Sequence, residues 1–270
     1  GQQDSSYTVV NGATTLGDIN ASSRDQTHIG ELHGKIEDLS TSTYVSAKAG
    51  IGLSTSGTYS ITPSTSGSIG RNSSIGYAGA DFGWLPFGNM RDGAAFGGLI
   101  GYQYWKDAPD IGSGQYTTSY TAGTPTSFGA AKNDLDIHAL RLGVKGMAEF
   151  KPFDVQAEVA AIPYAHISGT MGGSSPTGYT FGGNNYQERS PTTLTGRGYG
   201  VMAEGLVGFH PTENLTLRVG GRAWYLEGQL DARYAATTNA GTTTVPTLNL
   251  PSNFARFFRY GALFELTGNF

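Results

Sequence analysis

Asp134, Asp136 and His138 stand at i, i+2 and i+4 in the segment NDLDIH. On a strand that spacing turns all three side chains to one face, where a carboxylate can raise the basicity of the imidazole and orient it towards a water. His166-Ile167-Ser168 sets an imidazole and a hydroxyl two residues apart, the spacing of a general base beside a nucleophile. No suitably placed Glu completes that pair. His28, His33 and His210 are scattered and Cys is absent, so neither a metal site, a thiolate nor a disulfide framework is expected. With Gly 41 of 270 residues, GxGxxG-like strings arise from composition alone, and none opens a helix. No cofactor is expected.

The elements that would position these groups are strands. Alternating runs occupy 42–56, 74–85, 93–106, 133–150, 153–168, 194–209, 215–235 and 253–270. Short turn-like connections (LPFGNMRDG, KPF, HPTEN) alternate with long Gly-, Ser-, Thr-, Asn- and Pro-rich ones at 57–73, 107–132, 169–193 and 236–252. Residues 1–41 are polar and show no long alternating run; they are expected as an N-terminal arm on the periplasmic side, with 42–270 as the β domain. An added strand pair from the arm is the alternative.

Parity separates two faces. Leu140, Leu142 and Val144 oppose Arg141, Gly143 and Lys145; Leu217 and Val219 oppose Arg218 and Arg222; Phe258, Tyr260, Phe264 and Leu266 oppose Arg259 and Glu265. The apolar set is the one that can meet lipid, since a charge at mid-depth would cost about 2–4 kcal/mol. The other set points into a lumen with Lys48, Asp81, Arg141, Lys145, Glu149, Asp154, Glu158, Glu204, Arg218, Arg222, Arg259 and Glu265, six basic and six acidic groups. Such balance suits a narrow interior filled by paired charges, because an unpaired buried charge is expensive. The same parity puts His166 on the lumen side with Tyr164, and puts Trp105 and Trp224 in the lumen as filler. Trp84, Phe87, Phe150 and Phe153 lie beside short turns, and Tyr102, Tyr104, Tyr199 and Tyr225 towards the long loops, as two interfacial belts would.

Composition agrees with a sheet that spans a membrane. Charged residues are 14% and no apolar stretch reaches the ~18 residues of a membrane helix, so a barrel is the spanning structure left. A net charge of -4 without a basic patch gives no reason to expect a nucleic-acid partner. The opening Gly1-Gln2-Gln3-Asp4 has the look of a processed start. The fold expected is all-β: a closed antiparallel transmembrane barrel of about eight strands, with ten as the alternative, short periplasmic turns and long extracellular loops.

The chain ends YGALFELTGNF, an alternating strand closed by Phe270. This resembles the C-terminal signature of bacterial outer-membrane barrels, and the resemblance implies that Phe270 is a signal for the barrel assembly machinery. With the loop pattern, 42–270 look like the transmembrane domain of outer-membrane protein A and the opacity-type surface proteins. That likeness implies a bacterial outer-membrane location and contact with outer-membrane lipid and lipopolysaccharide. It also allows an extracellular or periplasmic protein partner. Wall anchoring through a following domain is not expected, since the chain stops at Phe270. GWLPFG, GGLIGYQYW and HPTENLTLRVGGRAWY are loosely similar to strands and turns of the omptin proteases. Those enzymes use an Asp pair and an Asp–His pair at the rim, yet 57–73 holds no Asp or Glu for a second pair. His166-Ile167-Ser168 is similar in spacing to the His-x-Ser pair of lipid A deacylases. The leading expectation is a barrel with a structural or surface-interaction role, its lumen mostly plugged, and not an enzyme. A small-solute porin-like channel is the alternative, and a rim hydrolase the second.

Overall fold

In a computed structural model the described residues are 1–11, 14–62, 65–89, 93–111, 114–121, 124–131, 133–171, 179–181, 184–188, 192–238 and 247–268. They form strands β1 (Gln2–Asn11), β2 (Thr14–Asp38), β3 (Thr43–Thr62), β4 (Thr65–Gly88) and β5 (Ala94–Asp110). A hairpin of β6 (Gly114–Thr121) and β7 (Thr124–Ala131) follows, then β8 (Asp134–Phe150) and β9 (Phe153–Met171). Short β10 (Tyr179–Phe181) and β11 (Asn184–Glu188) precede β12 (Thr192–Thr212), β13 (Leu215–Thr238), β14 (Thr247–Leu250) and β15 (Ser252–Gly268).

Ten of these strands pair antiparallel in a ring. The ladder runs β1–β2–β3–β4–β5–β8–β9–β12–β13–β15, and β15 pairs back onto β1. All eight sequence-predicted runs are strands, several of them longer at the loop side. The expectation of about eight strands is corrected to ten, because residues 1–41 do not stay outside the sheet. Gln2–Asn11 and Thr14–Asp38 pair with each other, β2 pairs along β3, and β1 sits between β2 and β15. The signal was present but faint. Gly30, Leu32, Gly34 and Ile36 alternate with Glu31, His33, Lys35 and Glu37, and only two of the first set are large and apolar. Gln2 pairs with Arg24 and with Phe258, so one strand separates β2 from β15 there. Nearer the turns, the facing edges of β2 and β15 have no ladder partner among the described residues. Leu32 and Phe264 are accordingly the barest large apolar side chains, at 82% and 86% exposed.

Alternation fixes the two faces. β5 reads exposed–buried almost without a break, with Phe96, Ile100 and Tyr102 outward and Leu99, Gln103 and Trp105 inward. Leu140, Leu142, Val144, Leu217, Val219, Tyr260 and Leu266 lie on the outer face, so the apolar exterior is a continuous property of the ring. Trp84, Phe87, Phe150 and Phe153 are exposed near the turns, and Tyr102, Tyr164 and Tyr199 towards the loops. Gly88 closes the turn after β4 with φ at 96°, a conformation L side chains seldom adopt. Asp38 begins the β2–β3 turn, where the Ser40 amide and hydroxyl donate to its carboxylate and hold it below the usual range.

Candidate functional site

The interior is filled by a series of ionic clusters with one aromatic layer among them. Near the turns, Arg218 donates to Asp154 at 3.0 Å and to Glu265 at 2.8 Å. His210 Nε2 lies 2.8 Å from Asp154, and Nδ1 shares a 3.0 Å hydrogen bond with Thr216. That hydroxyl–imidazole–carboxylate chain has the order of a nucleophile, base and orienter. Thr216 has no exposed surface, however, so no substrate reaches its oxygen. In the next layer Arg141, fully buried, donates to Asp81 at 2.9 Å and to Glu158, while Lys145 stands 3.7 Å from Glu158. Asp81 fits there because Gly101 faces it: a Cβ at Gly101 would come within 1.9 Å of Asp81 Oδ1.

Higher in the lumen, Arg222 donates to Glu204 at 2.5 Å and to Glu31 and the Tyr77 hydroxyl at 2.8 Å each. Lys48 approaches Glu204 at 3.8 Å. Tyr77 stacks on Trp105 with centroids 5.0 Å apart, and Trp105 meets Trp224 at 5.6 Å. Because β5 and β13 lie on opposite sides of the ring, this aromatic pair bridges the lumen. Arg259 sits over Trp105 at 5.3 Å and donates to Asp25 at 2.9 Å and Asp107 at 2.7 Å.

Every residue of the charge set picked from sequence faces this interior or its turn-side end, and all but Glu149 enter an ion pair there. Glu149 is half-buried opposite Asp154 and has no ion-pair partner among the described residues. Sequence parity missed Glu31 and Asp25, which arrive on β2, and Asp107 near the end of β5. Phe270 lies outside the described residues.

The second cluster is on the outer face at the loop side. Asp134, Asp136 and His138 point outward from β8, as the alternation of buried Leu135, Ile137 and Ala139 requires. Lys106 donates to Asp134 at 2.6 Å, the Tyr104 hydroxyl donates to Asp136, and Tyr102 shares a 2.6 Å hydrogen bond with His138 Nδ1. The expectation that His166 faces the lumen is corrected. A shift in register at Leu140/Leu142 adds a residue to β9, and Pro163 and Tyr164 are both exposed while Ile162 and Ala165 are both buried. Beyond that bulge the parity inverts, so His166 and Ser168 point outward. They stand opposite His138 and Asp136 respectively, and Arg197 of β12 stands opposite His166. The two motifs found separately in the sequence therefore form one patch. Among the described residues no group of three or more His, Asp or Glu side chains converges as metal ligands would.

No family model matches the chain, and no curated protein matches it. A solved structure does: the outer membrane protease OmpT from Escherichia coli, at TM-score 0.58 and 10% identity, over 99% of this chain and 93% of that one. The chain has the fold of an outer-membrane β-barrel. At that identity the likeness is one of fold and carries no residue roles with it. It nevertheless corrects two expectations. The structural likeness is to an omptin and does not single out outer-membrane protein A or the opacity proteins. The expectation that the chain is not an enzyme is withdrawn as well, since a barrel of this architecture is a protease.

Proposed function

We propose that this protein is an integral barrel of the bacterial outer membrane that conducts no solute and works at the loop-side surface of its wall. The supporting observation is the layering of the lumen. Arg141 with Asp81 and Glu158 fills one wall of the lumen, on β4, β8 and β9, while Arg222 with Glu204 and Glu31, and the Trp105–Trp224 bridge, draw side chains from across the ring. A ring this small has an interior that side chains largely fill, and charges paired on several sides are costly to pull apart. Proteoliposomes loaded with a polysaccharide and diluted into arabinose or sucrose test this. The expected result is no swelling above that of empty liposomes, and swelling that scales with protein content would refute it.

One observation favours a second reading, a lipid-directed hydrolase. His166, Ser168, Asp136 and His138 share an outward patch directly above the apolar positions Leu140 and Leu142 and the exposed Tyr164. In this reading Ser168 Oγ attacks an ester carbonyl at the membrane surface, His166 takes the hydroxyl proton and returns it to the leaving alcohol, and water later releases the acid. Refolded protein given a fluorescent phospholipid, and separately lipopolysaccharide, should release fatty acid from one of them. Ser168→Ala and His166→Ala should each abolish release, and undiminished turnover in either variant sinks this reading.

A further inference from the structure

Above the ionic layer of Arg259, Asp25 and Asp107 the lumen opens into a cavity of about 450 Å³ that includes open solvent. It runs between opposite walls of the ring, from Gln3, Ser5 and Tyr7 on β1 and Tyr59 on β3 to Ile111 beyond β5 and Asn133 just before β8. Cavities in the mouths of barrels are a common place for small ligands. Among the described residues the lining carries no Asp, Glu, Lys, Arg or His. In the layer below, Arg259 is already held by Asp25 and Asp107.

Asn133 points to a polar occupant. Its residue is 8% exposed, it lines the cavity, and its amide makes no hydrogen bond among the described residues. That amide is not among the buried polar atoms left without a partner, so it is open to the cavity, where it offers two donors and an acceptor. Gln3 brings a second amide and Ser5 a hydroxyl, while Tyr7, Tyr59 and Ile111 supply flat or apolar surface. Amides that both donate and accept, beside aromatic surface and without net charge, match a molecule with hydroxyls along its edge and C–H groups on its faces. They match an ion poorly, and they leave the charged ends of a short peptide without partners.

We propose that this mouth cavity binds a neutral saccharide of one or two rings, with Asn133 as its principal hydrogen-bonding anchor and Tyr59 as a packing surface. The test is isothermal titration of the full chain refolded in an amine-oxide detergent, which has no sugar head group to compete. Maltose, N-acetylglucosamine and glucuronate are the probes. Saturable binding of at least one neutral sugar is expected, weakened about tenfold or more by Asn133→Leu, roughly the loss of one or two hydrogen bonds. Circular dichroism and heat-modified gel migration confirm that the variant is folded, and Tyr59→Ala gives a second, independently folded probe. No saturation with either neutral sugar overturns the proposal. So does tighter binding of glucuronate than of both neutral sugars, or affinity unchanged in both folded variants.

Discussion

Replacing Arg141 by Met should be among the most damaging single changes in the barrel. The guanidinium is fully buried between Asp81 and Glu158, whose side chains are 5% and 6% exposed. At 2.9 Å from Asp81, and with an effective dielectric constant of about 20, the gross attraction of that pair alone is about 6 kcal/mol. Desolvation of the three groups offsets most of it, so the net contribution of the cluster is small. Removing only the cation is different. Among the described residues Asp81 then keeps no ion-pair partner and Glu158 keeps only Lys145, 3.7 Å away. The expected loss is about 3–5 kcal/mol. Changing all four, Arg141→Met with Asp81→Leu, Glu158→Met and Lys145→Met, removes the stranded charges, including the Lys145 ammonium that Glu158 would otherwise leave unpaired, and should return stability to within about 1 kcal/mol of the parent. Reversible urea unfolding in lipid vesicles, followed by tryptophan fluorescence, measures both. A single variant within about 0.5 kcal/mol of the parent would refute the reasoning, and so would a quadruple variant as unstable as the single one.

Other changes probe other levels of the structure. Gly101→Ala should cost about 1–3 kcal/mol in the same unfolding assay, because its Cβ would stand 1.9 Å from the Asp81 carboxylate that Arg141 holds. Val144→Arg, on the half-exposed outer face of β8, should cost about 2–4 kcal/mol in vesicles, whereas a lumen-directed Val144 would have been buried. Deleting residues 2–11 should prevent the heat-modified gel shift of a folded barrel, since it removes β1 from between β2 and β15. An arm outside the sheet would tolerate that deletion.

The fold was largely legible because the side-chain period of a strand is two and lipid tolerates no charge. Leu140, Leu142 and Val144 against Arg141 and Lys145 sort the faces of β8 without any tertiary information, and the charge set of the lumen follows from the same sorting. Parity fails where the backbone departs from it. The bulge at Pro163 and Tyr164 turned His166 outward, and no residue type in HISGT announces that inversion. β2 was missed because a strand facing a polar lumen needs few large apolar residues, and Leu32 and Ile36 are spaced by glycines. With β2 went Glu31 and Asp25, and so the partners that complete the Arg222 and Arg259 clusters. The outer patch was visible only as two unrelated motifs, since strand neighbours 28 or more residues apart are set by register.

Single-channel recording in a planar bilayer tests the sealed lumen most directly. The variant with Trp105, Trp224, Arg222 and Glu204 all changed to Ala serves as the opened control. The parent protein, shown to be folded and inserted, should stay silent at low and high salt while the opened variant conducts. Discrete, reproducible openings from the parent would contradict a sealed lumen, and would make the charges around Arg222 the selectivity element of a pore.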